Sequence, residues 1–279
     1  MKALLIGSIV FLLPLANQAQ PNARIELNTG KTITIHSLAQ TNTVVMMGLE
    51  IKSDVQTLST IEVLEAGKDQ LVLRHKLNRL QMNGSGMGQD FNYDSDKAQD
   101  RDSQIGQTIP SDLFNPDTIL INRNSGLIIS NSSNIKRTEG NSANPLENMM
   151  PNMDNGQLSG MATQAFYLLP ANKKEGDQWM DSTINKETKT VTTYTLQSLT
   201  GDSATVAVKE VKTISGDVDA NGMTITMNMT NTSTGIIVVH VNSGLVGRRE
   251  TKSEVSGSMD TAGQSMPITA DSKIQINFQ

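Results

Sequence analysis

"NRNSGLIIS", Asn122 to Ser130, and "HVNSGLVGR", His240 to Arg248, carry the same Asn-Ser-Gly-Leu-aliphatic phrase. Each follows a short aliphatic stretch, "DTILIN" from Asp117 and "GIIVVHV" from Gly235. Asn, Ser and Gly accept the left-handed conformations of a tight reversal, so each phrase ends one strand, and Leu127 or Leu245 opens the next. The surrounding order repeats as well: a Gly-polar start (Gly30-Lys31, Gly176-Asp177), a hairpin, a polar interruption, an aliphatic strand, then the phrase. The chain therefore reads as mainly β, with two tandem antiparallel β-units forming curved sheets and one linking amphipathic helix.

Working outward, strand patterns dominate. "VVMMGLEIKS" puts Val45, Met47, Leu49 and Ile51 on one face, with Gly48 a bend. "IEVLEAGKDQLVLRHKL" reads as a hairpin in which Ile61 and Val63 face Leu71, Leu73 and Leu77 across an "AGKD" turn, leaving Arg74 and Lys76 to water. Gly201-Asp202 turns a second hairpin whose return strand aligns Ala204, Val206 and Val208. In "MTITMNMT" the residues Met223, Ile225, Met227 and Met229 alternate with polar ones. "GIIVVHV" is apolar on both faces, as befits a strand with neighbours on both sides. Ser130 to Asn155 is rich in Asn, Ser, Gly and Pro and reads as loop. Beyond it Leu158, Met161, Ala162, Ala165, Phe166 and Leu169 fall at helical spacing ahead of Pro170, an apolar stripe suited to the concave side of a sheet. The boundaries expected are a signal peptide over 1–19, a first β-unit over 20–130, a linker and helix over 131–170 and a second β-unit over 171–279.

Met1-Lys2, the apolar run Ala3 to Leu15 and the small Ala19 have the form of a cleaved secretory signal, which predicts a periplasmic or secreted protein beginning at Gln20. No later stretch is apolar for long enough to form a spanning helix. There is no cysteine, hence no disulfide and no lipidation site, and stability must come from packing. The formal charge of -5 lacks the clustered cations that nucleic acid requires. Aromatic content of 3% argues against the girdles of an outer-membrane barrel and against sugar-stacking faces.

Catalytic motifs are sparse. His36, His75 and His240 each sit in a strand pattern without a neighbouring nucleophile, and His75 and His240 read as core histidines on apolar faces. "SNIK" at Ser133 has the Ser-x-x-Lys spacing without its companion motifs. "GSGMG" at Gly84 opens no helix and reads as a turn rather than a phosphate cradle. Asp90, Asp94, Asp96, Asp100 and Asp102 could offer oxygens to calcium, but the glycine and terminal glutamate of an EF-hand are missing, which leaves a solvated acidic loop. Met149, Met150, Met153 and Met161 raise Cu(I) binding through thioethers, against methionine's more general use as adaptable packing.

"MMGLEI", "NYDSD", "NSGLI", "LLPANKKEGDQW", "YTLQSLTGDSATV", "NSGLV" and "MPI" resemble, in order and over nearly the whole chain, an uncharacterised exported family of Bacteroidetes-type bacteria. The element Pro170, Gly176, Asp177, Trp179 is part of that likeness, which implies no established activity and transfers no catalytic residue. The expected fold is loosely similar to periplasmic lipoprotein-carrier half-barrels. These readings converge on a non-enzymatic binding or carrier module for an apolar small molecule, a lipid or a partner's apolar segment. Met47, Met161, Phe166, Met223, Met227 and Met229 line its groove, and no metal site or cofactor is assigned. The alternatives are a structural or envelope-interaction protein making contacts through its sheet edges and, at lower rank, methionine-based copper binding.

Overall fold

The computed structural model describes residues 24–45, 48–86, 89–131, 160, 162–185, 187–220, 223–261 and 264–279. Its strands are β1 (Thr32–Val45), β2 (Leu49–Ala66), β3 (Gln70–Gly86), β4 (Gln89–Asp94), β5 (Asp117–Asn122), β6 (Ile128–Asn131), β7 (Gln178–Ile184), β8 (Thr188–Thr200), β9 (Ser203–Ala220), β10 (Met223–His240), β11 (Leu245–Thr261) and β12 (Gln264–Phe278). All belong to one curved antiparallel sheet in the order β6-β5-β3-β2-β1-β12-β11-β10-β9-β8-β7, with β4 paired to β3 off this path. The two units are meanders that meet edge to edge, β1 against β12, with Ile35 opposite Phe278 and Val44 opposite Thr269. "MTITMNMT" and "GIIVVHV" are successive parts of the single strand β10.

The strands are long, and bulges keep their apolar residues on one face. Along β3 the buried positions are Leu71, Leu73, His75 and Leu77, then Leu80 and Met82. Odd numbers give way to even ones because the pairing with β2 shifts between Leu58 and Ser59, leaving Asn78 as an extra residue. Without that bulge a period of two would turn Leu80 and Met82 to the opposite face. Gly247 is the extra residue where β11 shifts against β10, so Val246 and Arg249 share a face. Curvature also needs missing side chains: a Cβ on Gly235 would lie 2.0 Å from the Glu250 carbonyl, and one on Gly257 2.2 Å from that of Asn228.

The main core lies at the end of the sheet that carries both Asn-Ser-Gly turns. Ile33, Ile35, Ile61, Leu71, Leu73, Ile119 and Ile121 of the first unit meet Leu196, Val206, Ile237, Val239 and Val246 of the second. Residues 162–169 fill the space between, with Ala162, Ala165, Phe166 and Leu169 buried as their spacing predicts. The helix ends earlier than that spacing predicts. After tight turns from Ala162 to Ala165 and from Thr163 to Phe166, the backbone gives its bonds to the second reversal: Tyr167 donates to the Gly244 carbonyl and Val246 to that of Ala165. Pairing with the turn competes successfully with a further helical turn, and Phe166 forms a β-bridge to Leu245. A smaller core of Val55, Leu77, Leu80, Met82, Tyr93 and Leu113 is covered by α2 (Gln104–Thr108), which follows the short α1 (Ala98–Arg101), and by a 3-10 turn at Ser111–Phe114.

The two reversals are joined through the segment before β1. Ile25 donates its N–H to the Arg123 carbonyl, and Glu26 donates to the Ser243 carbonyl, so one short segment binds both turns. Arg123 is buried; its Nε donates to the Ile25 carbonyl at 2.9 Å, one terminal nitrogen to the Gly67 carbonyl at 2.7 Å and the other to Glu26 at 3.0 Å. Arg123→Met should therefore lower the unfolding free energy by about 3 kcal/mol, the scale of stranding buried carbonyls that had charged donors. Urea denaturation of the two proteins checks this, and a difference under about 0.5 kcal/mol, the range of ordinary surface substitutions, would show that the clamp is dispensable.

Candidate functional site

The inner face of the sheet is layered. Its floor is the main core, where Leu196, Val206, Ile237 and Ile276 are buried on neighbouring strands. Arg249 sits in this layer, opposite Ile237 on β10 and Ile276 on β12. One step along the strands come Tyr194, Val208, Gly235, Thr251 and Ile274, and then a polar belt. In the belt Thr192 donates to Glu210 at 3.3 Å, and the Ser233 and Ser253 hydroxyls lie 2.8 Å apart. In the first unit the buried polar residues lie level with the floor or below it: Ser37, opposite Ile276, and Thr57, 2.6 Å apart, then Ser59, His75 and Asp117. Beyond the belt Val255 shares its row with Asn231 and Lys212, and the rows after it turn apolar, with Ile214, Met227, Met229, Met266 and Ile268 all half-buried, as Val255 is.

Where floor meets belt, aromatic residues gather. Trp179 of β7 pairs with Tyr194 of β8, and their rings stack with centroids 5.6 Å apart. Tyr167 reaches in from the inserted segment, its ring centroid 5.9 Å from that of Tyr194, and hydrogen-bonds to the Trp179 side chain. The Lys173 ammonium lies 5.3 Å from the centre of the Trp179 ring, a cation–π arrangement. Burial pushes both tyrosine hydroxyls above their ordinary pKa, aided at Tyr194 by the Asp181 carboxylate. Arg249 faces this group: burial pulls its pKa down, Tyr194 and then Tyr167 act against that, and its Nε has no hydrogen-bond partner among the described residues.

Residues 68–246 match the model of a family of unknown function, DUF6263. The chain belongs to that family. Nothing among curated proteins matches it. Among solved structures it is similar to a lipovitellin chain solved for its lipid–protein interactions, at 13% identity, over 91% of this chain and 25% of that one, with a TM-score of 0.51. This DUF6263 chain thus spans about a quarter of the lipovitellin chain, and at that identity the likeness concerns fold. An outer membrane channel from Pseudomonas putida F1 aligns over 94% of this chain and 100% of its own at 8% identity, with a TM-score of only 0.28.

Of the groove residues read from sequence, Met227 and Met229 lie half-buried on the inner face, in register with Gly216 and Ile214 of β9. Phe166 is in the main core, beneath the belt. Met223 of β10 pairs with Ala220 of β9, while Met47 and Met161 lie outside the described residues, as do Met149, Met150, Met153 and the "SNIK" stretch. Asp94 is a structural residue: Arg79 grips its carboxylate from two nitrogens at 2.7 and 3.1 Å, Gln81 and the Asp96 N–H add donors, and its pKa falls to about 2. His240 is exposed beyond the floor, 4.0 Å from Asp202, rather than in a core. Arg249, Tyr167 and Tyr194 escape sequence reading because they come from distant segments. Trp179 is visible only as the end of the Gly-Asp-x-Trp element.

No described helix is long and apolar enough to cross a membrane. His75 is the buried histidine its strand pattern suggests, with Nε2 unpartnered among the described residues. Burial lowers its pKa from 6.5 to about 4, opposed by the Asp117 carboxylate. A folded-state pKa below the unfolded one means that the unfolded chain takes up the proton first. The fold is therefore penalised progressively as pH drops from about 6.5 to about 4, by about 3 kcal/mol in all. His75→Gln should abolish this part of the acid sensitivity, seen as a smaller drop in melting temperature between pH 7 and pH 5; an unchanged drop would assign the sensitivity elsewhere.

Proposed function

We propose that this protein is an exported, non-enzymatic binding or carrier module that holds an apolar ligand, a lipid chain foremost, against the inner face of its sheet. The observation that carries the reading is the half-buried row Ile214, Met227, Met229, Val255, Met266 and Ile268, which continues past the filled core on the same face. Methionine suits such a surface, because its unbranched, polarisable side chain adapts to flexible acyl chains. The lipovitellin likeness supports it further, since that structure is titled for lipid–protein interactions. The signal-like sequence Met1 to Ala19 supports export to the periplasm or beyond.

A second reading, contact with a partner through the sheet edges, rests on Leu127, Ile128 and Ile129 around β6 and on Met180 and Ile184 of β7, all large, apolar and exposed at the two ends of the sheet. Paired variants separate the two. Met229→Asp with Ile268→Asp should weaken saturable binding of a solvatochromic fatty-acid dye by roughly tenfold or more, since each change sets a charge in the apolar row. Met180→Lys with Ile184→Lys should leave it unchanged. The carrier reading falls if the wild type shows no saturable dye site and a lipid extract of the purified protein is empty.

A further inference from the structure

We propose that Arg249 is the headgroup anchor of the inner-face site, and that the preferred ligand is a single-chain amphiphile ending in a carboxylate or another small anion. This rests on the carrier reading and names the ligand class within it. A guanidinium is charged at any physiological pH, and a charge held in a protein interior is ordinarily paired. Arg249 lies between buried Ile237 and Ile276, its Nε has no partner among the described residues, and the groups acting on it are the Tyr194 and Tyr167 hydroxyls. The Asp181 carboxylate acts on both tyrosines and Glu210 on Tyr194, while neither is among the groups acting on Arg249, which leaves the guanidinium to a ligand's anion.

The surroundings suit a polar head with a chain attached. Arg249, Tyr167, Tyr194 and Trp179 are each only partly buried, so a ligand reaches them from the open side of the sheet. The two tyrosine hydroxyls, protonated at physiological pH as phenols ordinarily are, can donate to an anion's oxygens beside the guanidinium. Lys173 adds a second cation over Trp179. From Arg249, β11 runs through Thr251 and Ser253 to Val255 and Gly257, which lies between Met229 and Ile268 on the neighbouring strands. A chain anchored at the guanidinium and laid along β11 therefore reaches the apolar row. If Arg249 served only to pack against the tyrosines, its loss would alter stability and leave ligand preference untouched.

The test compares palmitate, hexadecanol and acetate on the full chain by calorimetry and native mass spectrometry, with the wild type, Arg249→Met and Arg249→Lys, each checked for folding by circular dichroism. The wild type should bind palmitate about tenfold or more tighter than hexadecanol, the scale of a charge-assisted contact. Arg249→Met should bring the two ligands level, and Arg249→Lys, which keeps the charge, should retain part of the preference even if the methionine variant folds poorly. Equal binding of both chains by the wild type, or a preference that survives in Arg249→Met, would overturn the anchor and leave the carrier reading standing. Acetate binding as tightly as palmitate would overturn the amphiphile in favour of a free-anion site. If neither chain binds, the carrier reading fails and the anchor with it.

Discussion

Everything above the floor of this sheet depends on how its base is tied. Ile25 and Arg123 exchange backbone and guanidinium hydrogen bonds, and Glu26 reaches the Ser243 carbonyl of the other reversal. Ile25 is fully buried, and its side chain lies within van der Waals distance of the Cβ positions of both Gly126 and Gly244. Both glycines have positive φ, 72° and 68°, so each turn can bring its backbone close to this segment. The repeated phrase is thus more than two turns of one type. It forms the two sides of a single joint, and the buried isoleucines of both units pack between them.

The joint also fixes the order in which contacts can form. β1 pairs with β2 locally but with β12 across almost the whole chain, and Thr34 and Gln279 exchange backbone hydrogen bonds at the end of that seam. Each meander has local hairpins to start from, whereas the seam and the core shared by the two units require long loops to close. Completing the seam covers two otherwise free edges at the centre of the sheet, which leaves β6 and β7 as its outer strands.

Sequence periodicity makes the strands legible because a half-buried strand must alternate. It renders the β2–β3 hairpin, the turns at Gly201 and at the two Asn-Ser-Gly phrases, and the apolar positions in 162–169. It loses the face of β3 at Asn78, where a bulge changes which numbers point inward, and it overextends the helix before Pro170 because pairing with Gly244 and Val246 is a tertiary choice. The acidic stretch shows the same limit: its composition suggests a solvated loop, while Arg79, fifteen residues earlier in the chain, turns Asp94 into a buried anchor. Half of the inner face is readable for the same reason that the strands are. Met227 and Met229 alternate visibly, whereas Arg249 is one of two adjacent arginines whose orientation is decided by the bulge at Gly247.

That bulge connects fold to function. Arg248 and Arg249 are chemically equivalent in sequence, yet Arg248 pairs with Glu250 in solvent while Arg249 is turned onto the floor with no carboxylate paired to it among the described residues. A strand that needed only packing there would place an aliphatic residue opposite Ile237 and Ile276, as it does at Val246. A half-buried cation in that position costs stability unless something negative meets it. Proteins tolerate such costs at sites that bind. The half-filled sheet would let the proposed anchor be both held and reachable: on β11 the core gives way after Arg249 to Thr251 and the polar belt, and the apolar row beyond offers the surface along which a ligand's chain would lie.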